Sequence, residues 1–216
     1  MWQDCLFSFD WGLNDPSVCD FTGTNLTYDQ VTGQAAESYE VAEDYSYIDI
    51  TLRDNIYFQQ KEGEYDIFGG RQFTAADAVY TFSRLLGLNG VTKVECETDW
   101  ATELYMVQSV EQTGDLTFRV TFNVATENAL NDFIVQCTKG VALTGEEWDS
   151  LTPDQQNDWH YAVGIGAYIL TDYVADNYMQ FEAIPTTTAW TSATRRTSCL
   201  TSSPSSWSTS PRAIRF

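Results

Sequence analysis

The chain has 216 residues, 43% of them hydrophobic and 14% aromatic, enough to close a core and unlike a disordered composition. Thirty-one acids against eleven bases give a formal charge of −20. Such a surface repels nucleic acid and anionic membranes and argues against both as partners.

No apolar run reaches the roughly 20 residues that span a bilayer. The start, MWQDCLFSFDWG, lacks a basic region followed by an apolar stretch, so no signal peptide is expected there. Residues 12–33, rich in Gly, Asn, Asp and Thr, are predicted to be loop. In SYIDITLRDNIYF, Ile48, Ile50 and Leu52 alternate with Asp49, Thr51 and Arg53, the period of a strand with one buried face. KEGEYDIFGGRQ follows as a polar, glycine-bearing loop.

FTAADAVYTFSRLLG is a marked helix. Thr74 is placed to cap it with Asp77 three residues later. Ala75, Ala78, Val79, Phe82 and Leu86 recur at helical spacing, and Gly87 suits a left-handed end. Residues 99–112 are predicted to form a second helix. In LTFRVTFNV, Leu116, Phe118, Val120, Phe122 and Val124 face one way and Thr117, Arg119, Thr121 and Asn123 the other. A helix over Thr126–Gln136 would bury Leu130, Phe133 and Ile134. Thr152, Pro153 and Gln155 mark a further helix start. YAVGIGAYILTDYVADNYMQFEA predicts two strands joined by a turn at Ala175–Asn177. Strands and helices mix without a βαβ rhythm, so the fold class expected is mixed α/β, of the α+β kind.

The composition changes abruptly near residue 184. Every Asp and Glu lies at or before Glu182, while Arg195, Arg196, Arg212 and Arg215 follow it. Seven bases and all 31 acids therefore precede residue 185, a balance of −24. Half of residues 185–216, 16 of 32, are Ser or Thr. This is the clearest boundary in the chain, and residues 184–216 are expected to be a disordered tail.

Chemistry-bearing motifs are sparse. Acidic pairs occur at Glu43/Asp44, Glu62/Glu64 and Glu146/Glu147, and two carboxylates could serve a glycosidase; an acid-rich chain makes such pairs by chance. His160 is the sole histidine, and no GxSxG elbow accompanies it. VGIGAY has two glycines at GxG spacing without the rest of a dinucleotide fingerprint. Cys5, Cys19, Cys96, Cys137 and Cys199 form no CxxC pair, so no metal site is expected. Disulfides such as Cys5–Cys19 or Cys96–Cys137 and buried free thiols are both open readings. No catalytic residue and no cofactor are expected.

The order of segments nevertheless resembles family 5 of the bacterial extracellular solute-binding proteins, the peptide-binding components of ATP-binding-cassette importers. The resemblance lies in Ala36-Glu37-Ser38, Leu52-Arg53, Thr74-Ala75, Asp77, Val79-Tyr80, Phe82 and Arg84, and then Gly164, Gly166, Tyr168 and Leu170. With LTFRVTFNV between the last two of these segments, four motifs in order cover residues 30–183. Ile165 stands where the family usually has Thr, and the 61–72 loop is longer than usual.

The resemblance implies a partial first lobe of a type II periplasmic-binding-protein fold. Residues 1–30 would start lobe I, 31–155 would be an inserted small domain, 156–183 the return strands, and 184–216 the tail. It also implies a two-lobed parent that closes over its ligand by hinge motion. The ligand would be a di- or oligopeptide, the partners ABC permease subunits at the membrane, and the location the periplasm or cell surface. The second lobe, the secretion signal and the family's lipid-bearing cysteine have no counterpart in these residues. Much of the ligand surface belongs to that second lobe, so no ligand-binding residue is carried over. Other readings are an oligosaccharide or metal-chelate ligand, a carboxylate-based hydrolase, and a gene fragment without function of its own. The tail would follow from one lost base near Ile184. Synonymous back-translation in the shifted frame reads NPNYYGLDERYPENKLPYL, which suits the family there.

Overall fold

The alternation at residues 47–52 and 116–124 becomes two neighbouring antiparallel strands. A computed structural model describes residues 4–9, 28, 31–93, 103–139, 141–184 and 212–214. These fall into two units: one of Cys5–Asp54 and Thr74–Gly145, the other of Asn55–Phe73 and Glu146–Phe216 together with Met1–Asp4.

In the first unit β1 (Phe7–Phe9) pairs with β2 (Val31–Gly33). A four-stranded antiparallel sheet combines β3 (Ala36–Val41), β4 (Tyr47–Leu52), β5 (Val107–Gln112) and β6 (Thr117–Phe122) in the order β3-β4-β6-β5. Ile48, Ile50 and Leu52 of β4 and Phe118, Val120 and Phe122 of β6 are buried, as period-two alternation requires. Two helices complete the core: α1 (Ala75–Leu86) and α2 (Glu127–Gln136). Phe82 lies 6.3 Å from Phe118 and 5.7 Å from Phe133, and Phe133 lies 5.7 Å from Phe122. Leu130, Phe133 and Ile134 are fully buried. Thr126 caps α2 by accepting the Ala129 N–H. Gly87 ends α1 at φ 72°, a left-handed conformation glycine adopts without a Cβ penalty.

Three expectations change. Residues 107–112, predicted helical, are strand β5; a bulge between Val107 and Ser109 hides the alternation, and pairing puts buried Val110 opposite Val120. Of the rest of that expected helix, Glu103 is helical, 104–106 form a turn, and 99–102 lies outside the described residues. Residues 31–33, predicted loop, are strand β2. Val124 is 57% exposed, because β6 has already ended at Phe122.

In the second unit β7 (Tyr168–Val174), β8 (Tyr178–Ala183) and β9 (Arg212–Ile214) form an antiparallel sheet in that order. The expected β7–β8 turn is present, with Asp176 at φ 58°. The short α3 (Pro153–Gln156) starts at Thr152, whose N–H donates to Gln155 Oε1 at 2.9 Å. Of the tail at 184–216, Ile184 and Arg212–Ile214 are described, the latter three pairing with β8. No described helix is long and apolar enough to cross a membrane.

Candidate functional site

The motif residues fall into two constellations, one in each unit. In the first unit Arg53 follows β4. Its Nε donates to Gln34 O at 2.9 Å and its Nη2 to Gly33 O at 3.4 Å, while its backbone N–H donates to Ala35 O. The Leu52-Arg53 pair thus joins a core side chain to a clamp on the 33–36 turn. A Cβ at Gly33 would stand 2.2 Å from Ala36 O, so that turn closes only around glycine. The buried Asp77 carboxylate accepts from the Thr74 N–H at 2.8 Å and from its hydroxyl at 3.0 Å. One turn later the Thr81 hydroxyl lies 2.9 Å from both Asp77 O and Thr144 O and accepts the Thr144 N–H at 3.0 Å. Asn89 Nδ2 donates to Ser83 Oγ and to Val110 O, both at 2.9 Å. The FTAADAVYTFSR motif is therefore a cap, a core face and a polar seam on one helix.

In the second unit the GIGAY segment is held from below by Gln59. This side chain is 2% exposed. Its Nε2 donates to Gly166 O at 3.0 Å and to Tyr168 O at 2.7 Å, and its Oε1 accepts the Gly164 N–H at 3.2 Å. The Gln59 N–H donates to Gly164 O. Nothing in the sequence singles Gln59 out, because a glutamine in a polar loop carries no periodic or motif signal. Ile165, at the position where the resemblance implies Thr, is buried at 3%.

The 61–72 loop is fastened in the same unit. Arg71 makes a two-pronged bond to Glu147, at 2.7 and 2.8 Å, and its guanidinium lies 4.9 Å from the Phe58 ring. Phe58 and Phe68 stack at 4.0 Å. Lys61 Nζ donates to His160 O at 2.7 Å, and burial lowers its pKa. His160 stacks on Trp159 at 3.9 Å and on Tyr65 at 5.1 Å, with Nδ1 2.6 Å from Asp158 Oδ1.

The acidic pairs from the sequence are not brought into facing arrangement by these contacts. Asp44 accepts from Ser46 in a turn, and its pKa is lowered by that side-chain bond. Glu147 is held below its usual range by Arg71. A general acid needs its carboxyl pKa raised, and both of these move the other way. Glu43, Glu62, Glu64 and Glu146 are exposed. His160 has an orienting acid in Asp158, and none of the described contacts brings a serine to it. Among the described residues no three His, Cys, Asp or Glu side chains are grouped to hold a metal ion. Cys137 is a buried free thiol whose pKa burial pushes well up; Cys19, Cys96 and Cys199 lie outside the described residues.

The profile of the bacterial extracellular solute-binding proteins, family 5 (Middle), matches residues 30–189. The chain belongs to this family. The match takes in all four motifs and both constellations. Solved structures agree at the level of fold. The dipeptide-binding protein of Pseudoalteromonas sp. SM9913, in complex with Met-Leu, superposes with a TM-score of 0.61 at 20% identity, over 84% of this chain and 33% of its own. The periplasmic binding protein DppA of Helicobacter pylori, in complex with the peptide STSA, gives 0.60 at 18%, over 87% and 34%. The oligopeptide-binding protein AppA of Bacillus subtilis, with a nonapeptide, gives 0.57 at 18%, over 84% and 30%. The family-5 chain thus spans about a third of the length of these structures. A search of curated protein sequences finds no match.

Proposed function

We propose that this chain supplies the first-lobe part of a peptide-binding component of an ABC importer, working outside the cytoplasmic membrane. The carrying observation is the family match over residues 30–189, on a fold shared with three peptide-bound proteins. On this reading residues 31–155 are the inserted small domain and 156–183 the return strands of lobe I. The ligand is a di- or oligopeptide, the partner an ABC permease, and the chain does no catalysis. In the two-lobed parent a ligand is enclosed by closure of one lobe on the other. Capture is therefore an activity of both lobes together.

Calorimetry tests this with two proteins: the 216-residue chain, and the same residues 1–183 extended by a second lobe from a family member. Titrated with peptides of two to nine residues, the two-lobed protein is expected to bind and the 216-residue chain to bind far more weakly. Absence of peptide binding by the two-lobed protein overturns the reading. Sequencing the gene across the codons for Ala183 to Trp190 tests the accompanying proposal that the tail records a lost base. An unbroken frame there ends it.

A further inference from the structure

One row across the four-stranded sheet reads Glu40, Asp49, Arg119, Glu111. Glu40 is opposite Asp49, Asp49 opposite Arg119, and Arg119 opposite Glu111. The row thus sets three carboxylates beside one guanidinium. That guanidinium is committed to Asp49, at 2.7 and 2.6 Å, and lies 3.7 Å over the Tyr47 ring. Glu40 and Glu111 flank the pair, both exposed. Directly opposed residues on neighbouring strands have side chains about 5 Å apart, and like charges so placed destabilise the sheet.

The rest of the chain repeats this imbalance. Sixteen of the 24 described acids are exposed, which concentrates negative charge at the surface. Several of the described cations are already engaged. Arg53 donates to backbone carbonyls of the 33–34 turn, and Lys61 to those of Trp159 and His160. Arg71 is taken by Glu147, and Lys139 reaches Glu103 at 3.8 Å. The whole sequence holds only three lysines. The protein's own bases therefore cannot neutralise its surface.

We infer that the folded chain depends on a dense atmosphere of small monovalent cations, and that it is built for a medium of about molar ionic strength. The spacing of the charges sets that scale. The screening length is about 10 Å at 0.1 M salt, twice the cross-strand distance, and about 3 Å at 1 M. Only near the latter are neighbours such as Glu40 and Asp49 shielded from one another. Below it, self-repulsion weighs on the compact state.

Thermal unfolding of the 216-residue chain at pH 7, followed by circular dichroism, tests this between about 0.02 M and about 2 M NaCl. The expected result is a Tm that climbs by about 10 °C or more, most of it below about 1 M. KCl and choline chloride at equal ionic strength follow the same curve, since diffuse screening does not distinguish cations. The variant E37Q/E40Q/E62Q/E64Q/E146Q/E182Q is expected to lose roughly half of the salt response, mainly by melting later at low salt. A Tm flat with salt overturns the inference, as does the absence of a cooperative transition in every salt. A rise confined to one cation also overturns it, because that indicates a specific site. So does a full salt response in the six-fold variant.

Discussion

The two units of this chain reach order by different physics. The unit of Cys5–Asp54 and Thr74–Gly145 is built on periodic elements: alternating strands and two amphipathic helices meet in a cluster of Phe82, Phe118, Phe122 and Phe133. The unit of Asn55–Phe73 and Glu146–Phe216 has little regular structure in its residues 55–73 and 146–167. It relies on side chains bonded to backbone, Gln59 and Lys61 foremost, and on the Arg71–Glu147 pair. The difference teaches where sequence patterns fail. Burial of apolar faces is written in periodicity, whereas a polar clamp is specified by one residue whose partners lie 100 positions away.

Mutations can break that contrast. The largest effect is expected at the aromatic cluster: Phe82→Ala or Phe133→Ala should cost about 3–5 kcal/mol, transfer and cavity terms together, read as a lowered urea midpoint. A loss below about 1 kcal/mol would mean that the cluster is not the centre of its unit. Next comes Gln59→Leu, which leaves Gly164 N–H and two carbonyls without this partner; about 1–3 kcal/mol is expected. Hydrogen exchange separates it from the first case. Amides of residues 164–168 should exchange faster while those of α1 stay protected, and uniform acceleration would contradict a local clamp.

Smaller still is Arg71→Met. The pair is about one-third exposed on each side, so solvent screening holds its contribution to about 1 kcal/mol or less. Its pH dependence has a definite sign. Glu147 has its folded pKa lowered from 4.5, the Arg71 bond being the first cause. Its stabilisation is then complete above about pH 4.5 and is lost as pH falls through the lower folded value. The difference in urea midpoint between parent and Arg71→Met should shrink with acidification below pH 4.5; a constant gap would remove the ion pair as its cause. The smallest effect is expected at α2, where Thr126→Ala removes the cap on Ala129 and costs about 1 kcal/mol.

Much of the first unit was legible before any coordinates. The alternation of β4 and β6, the Thr74–Asp77 start of α1, its Gly87 end and the buried face of α2 all follow from period and cap chemistry. Strand β5 was not legible, because its bulge breaks the alternation and its identity comes from pairing with β6. The family motifs were readable at residues 36–53, 74–84, 116–124 and 164–170, but their physical work was not. Arg53 proves to be a turn clamp, and the glycine-bearing motif a backbone segment gripped by Gln59.

The sequence by itself determined the class of this protein, its acid surface and the elements whose burial repeats every two or 3.6 residues. Those features are local or compositional, so each residue carries its part of the signal. Only the tertiary structure decided that Asp49 pairs with Arg119 and that Glu40 and Glu111 stand on either side of that pair. It also decided that Glu147 answers Arg71 and that Gln59 holds residues 164–168. The reason is physical: register and long-range contacts set the partners of a polar group, and neither is encoded in its neighbours along the chain.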